Sequence, residues 1–106
     1  MSAVSVYITA ETMEEAEMLA EALIEERLAA CVNIRAEIRS IYRWQGGIER
    51  DSEVALIVKS QQALVQRLTK RVTDLHSYDV PCIVAWPILD GQPDYLAWVA
   101  AETTDA

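Results

Sequence analysis

Changes in the period of apolar positions mark the elements of this chain. The run "AVSVYIT" (3–9) is β-branched and aromatic, and predicts a first strand. Thr12 with Glu15 three positions on is a capping-box pattern. From there Ala16, Leu19, Ala20, Leu23, Ile24 and Leu28 recur at helical spacing, which predicts a helix over 13–28 with one apolar stripe. Glu14, Glu17, Glu21 and Glu25 fall on its other side and read as a solvated acidic face. Residues 29–44 then alternate. Ala30, Val32, Ile34, Ala36, Ile38, Ser40, Tyr42 and Trp44 share one face, and Cys31, Asn33, Arg35, Glu37, Arg39 and Arg43 the other, so a strand buried on one side is expected. "QGGI" (45–48) supplies a turn. The next strand, 52–60, is apolar on both faces from Val54 to Val58, as a central strand should be. Ser60 is placed to cap a second helix over 61–75, whose stripe is Leu64, Leu68, Val72 and Leu75. Pro81 opens a last strand, "PCIVAWPI", and Pro87 marks it as an edge. Pro93 and Asp94 begin a short closing helix, 93–103.

The order β-α-β-β-α-β with a C-terminal helix predicts an α+β fold of the ferredoxin-like type. It is an antiparallel sheet with both main helices on one face, formed by residues 1–106 as one domain. Right-handed crossovers put strands one and three in the middle and strands two and four at the edges. Strand two and its hairpin are longer than this sheet can use, since a typical strand has about five or six residues. The outer hairpin, with Ile41, Tyr42, Trp44 and Ile48, projects and leaves large apolar groups in water. The sheet face opposite the helices also needs cover. A closed homo-oligomer, with the hairpin pairing onto a neighbouring subunit, solves both problems.

Composition narrows the function classes. The 106 residues are 52% hydrophobic and 25% charged, with a net charge of −8, which argues against a nucleic-acid partner. No apolar stretch is long enough to span a bilayer. "MSAVSVYIT" lacks a basic region before its apolar run, so no signal peptide is read and a cytoplasmic location is expected. Cys31 and Cys82 fall on opposite edge strands, too far apart for a disulfide, and are expected as free thiols.

The segments "ERLAACVNI", "IYRWQGGIERDSEVALIVKS", "LHSYDVPCIVAWPI" and "DYLAWV" strongly resemble the CutA family of divalent-cation tolerance proteins. The resemblance covers nearly the whole chain, in order. It implies a ferredoxin-like homotrimer joined through the long hairpin, similar to trimeric PII signalling proteins that bind small ligands in clefts between subunits. It also implies a role in tolerance of copper and other divalent cations, and supplies no molecular mechanism.

Several side chains can carry chemistry. His76, the only histidine, reads either as a Cu(II) or Zn(II) ligand or as a loop histidine bonded to a backbone carbonyl. Cys82 can join it as a thiolate or be a small packed hydrophobe. Cys31, at the far end of its sheet, is a soft-ligand candidate that meets His76 only across an interface. Lys59 ends an apolar strand on the face of Glu53, and either anchors a small anionic ligand or snorkels to water. Tyr42, Trp44, Tyr78 and Asp79 are candidates for an intersubunit cleft beside Glu53, with interface packing as the plainer role for the rings. No phosphate loop, dinucleotide fingerprint, HExxH or nucleophile elbow occurs, and no enzyme is expected. Two functions stand together: a homotrimer that binds divalent metal, copper above all, and a PII-like sensor or scaffold for a small ligand.

Overall fold

The computed structural model describes residues 2–103. Its elements are β1 (Ala3–Ala10), α1 (Met13–Glu25), β2 (Cys31–Trp44), β3 (Gly47–Gln61), a 3-10 turn (Gln62–Leu64), α2 (Val65–Leu75), β4 (Ile83–Pro87) and α3 (Pro93–Glu102). The strands form one antiparallel sheet in the order β2-β3-β1-β4. This is the expected ferredoxin-like α+β arrangement, with β1 and β3 central.

Alternation decides the two faces. Val4, Val6, Ile8 and Ala10 of β1 and Val54, Leu56 and Val58 of β3 pack under Ala16, Leu19 and Leu23 of α1 and Leu68 and Val72 of α2. Each large side chain buried this way contributes about 1.5–3 kcal/mol. The intervening residues, Ser5, Tyr7 and Thr9 of β1 and Glu53, Ala55, Ile57 and Lys59 of β3, face away from these helices, onto what we call the open face. α3 covers one end of that face. Its Val99 is fully buried, as nearly are Ala3 and Ser5 of β1. Gln61 Nε2 ties the end of α3 down by donating to Thr103 O at 2.9 Å and to Thr103 Oγ1 at 2.8 Å.

Four local features differ from the sequence expectations. α1 stops at Glu25 rather than Leu28. Arg27 takes a left-handed φ of 58°, its N–H bonds Ile24 O, and Leu28 N–H bonds Leu23 O. This is a Schellman stop made without glycine, held by burial of Leu28. Ser60 does not cap α2. It is the penultimate residue of β3, and its buried hydroxyl donates to Leu28 O at 2.6 Å, leaving the chain to enter α2 through the 3-10 turn. β3 begins directly after a two-residue turn at Gln45 (φ 47°) and Gly46 (φ 82°), a type I′ hairpin in which Gly46 takes the second left-handed position.

The fourth difference bears on function. The register of β2 against β3 slips between Ala36 and Ile38, where Glu37 bulges out with φ 63°. Before the bulge Val32, Ile34 and Ala36 pair with Val58, Leu56 and Val54 on the helix side. After it Ile38, Ser40 and Tyr42 pair with Glu53, Asp51 and Glu49, so they lie on the open face. The stripe read as continuous from Ala30 to Trp44 is therefore split between the two faces. Beyond the bulge the hairpin projects, and the molecule is 44 Å long against 26 and 22 Å across. Ile41, Trp44 and Ile48 are each more than half exposed there.

Candidate functional site

A cavity of about 720 Å³ opens on the open face where β1, β3, the hairpin and the loop after α2 converge. Tyr7, Glu53, Tyr42, Trp44, Tyr78 and Cys82 supply much of its wall, with Asp79 and Arg39 adding charge. Each wall residue has a local reason to be there. Tyr7 and Glu53 are open-face positions of the central strands. The Glu37 bulge turns Tyr42 onto this side. Cys82 immediately precedes β4, in which Ile83 pairs with Ile8, and so lies beside Thr9.

Tyr78 reaches the site because the two residues before it, His76 and Ser77, are clamped. The His76 side chain is fully buried. Its Nε2 lies 2.7 Å from Thr9 O, and its Nδ1 lies 3.0 Å from the Tyr78 backbone N. A carbonyl only accepts and an amide N–H only donates, so these partners assign the proton to Nε2 and the lone pair to Nδ1. The Glu15 carboxylate completes the clamp. One oxygen accepts from Ser77 N–H at 2.8 Å and the other from Glu11 N–H at 3.1 Å. Burial raises the Glu15 carboxyl, but the bonds from Ser77 and Glu11 and the nearby His76 outweigh it, leaving the carboxyl below the usual carboxylate range.

So held, Tyr78 Oη donates to Glu53 Oε2 at 3.0 Å. Burial and the Glu53 carboxylate push the Tyr78 phenol well above its ordinary value. Burial also raises the Tyr7 phenol, helped by Cys82 and Glu53. The Cys82 thiol is also raised, chiefly by burial and further by Glu53, although a bond with Thr9 pulls the other way. Tyr42 donates to Asp51 across the hairpin, and its phenol is pushed up to about 12. At neutral pH the cavity wall therefore presents protonated phenols and a protonated thiol beside the carboxylates of Glu53 and Asp79.

The sequence candidates divide into three groups. Glu53, Tyr42, Trp44, Tyr78, Asp79 and Cys82 come together in the cavity. His76 sits behind the wall with both ring nitrogens occupied, so it offers a metal no free lone pair as it stands. Cys31 and Lys59 pair with each other across β2 and β3, six residues along β3 from Glu53, about 20 Å at about 3.3 Å per residue. Lys59 is thus no anchor for this cavity, and the three proposed soft ligands, His76, Cys82 and Cys31, do not meet within one protomer. Both cysteines are free, as expected. Among the described residues, no group of three or more His, Cys, Asp or Glu side chains is placed to hold a metal ion. Tyr7 and Glu15 were missed by sequence reasoning. The signal for Tyr7 was its place with Ser5 and Thr9, out of phase with Val4, Val6 and Ile8.

The family model of the CutA1 divalent ion tolerance protein matches residues 4–102. The chain belongs to the CutA family. It is 49% identical over 98 residues to the divalent-cation tolerance protein CutA of Thermus thermophilus, covering 92% of this chain and 95% of that one. It is 44% identical over 98 residues to the chloroplastic protein CutA of Arabidopsis thaliana, covering 92% of this chain but only 54% of that protein, so the chain spans about half the length of some relatives it matches. The crystal structure of CutA1 from Oryza sativa superposes with a TM-score of 0.97 at 40% identity, covering 100% of this chain and 97% of that one. An Archaeoglobus fulgidus structure, described as a periplasmic divalent cation tolerance protein CutA, superposes with a TM-score of 0.92 at 42% identity, covering 94% and 97%. That description names the periplasm, so the comparison does not support the cytoplasmic expectation. Among the described residues no helix is long and apolar enough to cross a membrane.

Proposed function

We propose that this protein serves divalent-cation tolerance as a homotrimer, and that its site is the open-face cavity rather than His76. The observation that carries this reading is the Glu53 carboxylate. It is oriented by Tyr78 into a cavity that also holds the Cys82 thiol, so an oxygen and a sulfur donor line one pocket. A divalent ion such as copper would take Glu53 and Cys82, with Asp79 at the rim. Four-coordinate sites need more donors than these inner two. The balance would come from water or from a neighbouring copy brought in by the exposed hairpin.

A second reading is favoured by size. A volume of about 720 Å³ is within the range of small-molecule sites and far larger than a single ion needs. The cavity thereby also suits a PII-like role, with a small ligand held between subunits. No catalytic reaction is assigned. Cys82 is the one thiol near a histidine, and the His76 ring nitrogens are both committed to the backbone.

The test is a chelator-competed titration of Zn(II) and Cu(II) into the wild type, Glu53→Gln, Cys82→Ser and His76→Gln, with sedimentation of each to check assembly. The reading expects a trimer that loses affinity on changing Glu53 or Cys82. Unchanged affinity in both variants, or a wild-type monomer at micromolar concentration, would overturn it.

A further inference from the structure

The wall of the open-face cavity has a chemistry beyond two metal donors. Four aromatic side chains, Tyr7, Tyr42, Trp44 and Tyr78, line it together with the carboxylates of Glu53 and Asp79. The carboxylates outnumber the single guanidinium on the wall, that of Arg39, and the whole chain carries −8. We propose that this cavity binds a small organic cation, an amine with an apolar body, the ammonium head lying against the ring faces and Glu53. The proposal rests on the small-ligand reading of the cavity given above.

The argument is one of charge and shape. Aromatic faces present negative potential and attract ammonium and guanidinium groups, most strongly when water is excluded. Tyr78 fixes Glu53 through a 3.0 Å hydrogen bond to one oxygen, Oε2, so the carboxylate is held in place before a ligand arrives. Tyr42 is steadied likewise by its bond to Asp51. The phenols of Tyr42 and Tyr78 spend their protons on these carboxylates, which leaves their ring faces as the surface offered to a ligand. An anionic ligand would meet two carboxylates and a single arginine. Lys59, the one strand lysine on the open face, is at the far end of the sheet.

The test compares benzylamine, protonated at neutral pH, with benzyl alcohol, its uncharged analogue, by calorimetric titration into the assembled protein. The amine is expected to bind about tenfold more tightly, the advantage a desolvated cation–aromatic contact of about 1.4 kcal/mol confers. Trp44→Ala and Glu53→Gln should each reduce that preference, and sedimentation checks that each variant keeps its assembly. Equal binding of the two compounds, or no binding of either, would overturn the proposal. Adding Zn(II) separates this inference from the metal reading. Amine binding that Zn(II) does not displace supports the organic cation and removes the metal from this cavity. Zn(II) binding that depends on Glu53, with no amine binding, keeps the metal and overturns the organic cation.

Discussion

Tyr78 Oη lies 3.0 Å from Glu53 Oε2, joining the loop after α2 to the open face of β3 across 25 residues of sequence. The contact places a carboxylate and a phenol at the wall of the cavity, and its strength depends on residues that never touch a ligand. Tyr78→Phe keeps the ring and removes the hydroxyl. It is expected to lower stability by about 1 kcal/mol, the usual net value of one such bond, and to weaken cation binding because Glu53 is no longer held. Urea denaturation and the amine titration check the two effects separately.

His76 acts in this account through packing. Its imidazole satisfies Thr9 O and the Tyr78 N–H inside the protein. His76→Ala leaves both groups unpaired in a buried space, and a loss of about 2–4 kcal/mol is expected. Zn(II) affinity, measured where the variant remains folded, should fall by no more than Tyr78→Phe causes, because His76 acts on the site only by placing Tyr78 beside Glu53.

Glu15 makes stability depend on acid. Its folded-state carboxyl lies below the ordinary value, so its contribution is fully present above the unfolded value and is lost as pH falls through the folded one. The stability gap between wild type and Glu15→Gln should therefore be full at pH 7 and close as pH drops below about 4. Denaturation midpoints of both proteins across that range test the sign. A gap that widens in acid would contradict it.

Cys82 gives metal binding a dependence of the same sign, at higher pH. Its thiol is raised, so a metal must displace a proton to bind it. Zn(II) affinity should rise with pH between about 6 and 8, and the rise should flatten in Cys82→Ser.

The bulge at Glu37 sets which side of the hairpin faces the cavity. Its φ of 63° is strained for a side chain other than glycine. Glu37→Gly should change stability by less than about 1 kcal/mol, while Glu37→Val, β-branched, should lower it by about 1–3 kcal/mol. Deleting Glu37 would restore continuous alternation with Ile38 still opposite Glu53, keep Tyr42 and Trp44 on the open face and so preserve both assembly and amine binding. Sedimentation of the deletion variant reads the first effect and calorimetry the second.

Much of this was legible in the sequence. Helical spacing in 13–28 and 61–75 and alternation in the strands gave the element order, and crossover handedness gave the sheet order. The placement of Tyr78 and Asp79 near Glu53 and Trp44 followed from where α2 had to end. What escaped was set by long-range contacts. The β2 stripe looked continuous because nothing local marks Glu37 as a bulge. Only the register of β3 reveals it. Ser60 looked like a cap because its hydroxyl partner, Leu28 O, is 32 residues away. His76 looked like a ligand because ligand types are visible in sequence, whereas the carbonyl and amide that occupy its ring are not.

The most direct test of the central claim is a crystal of the protein soaked in Zn(II), read by anomalous difference density at the zinc edge. The account predicts a peak in the open-face cavity, within bonding distance of Glu53 and Cys82. A peak at His76 Nδ1 with the loop rearranged, and none in the cavity, would contradict it.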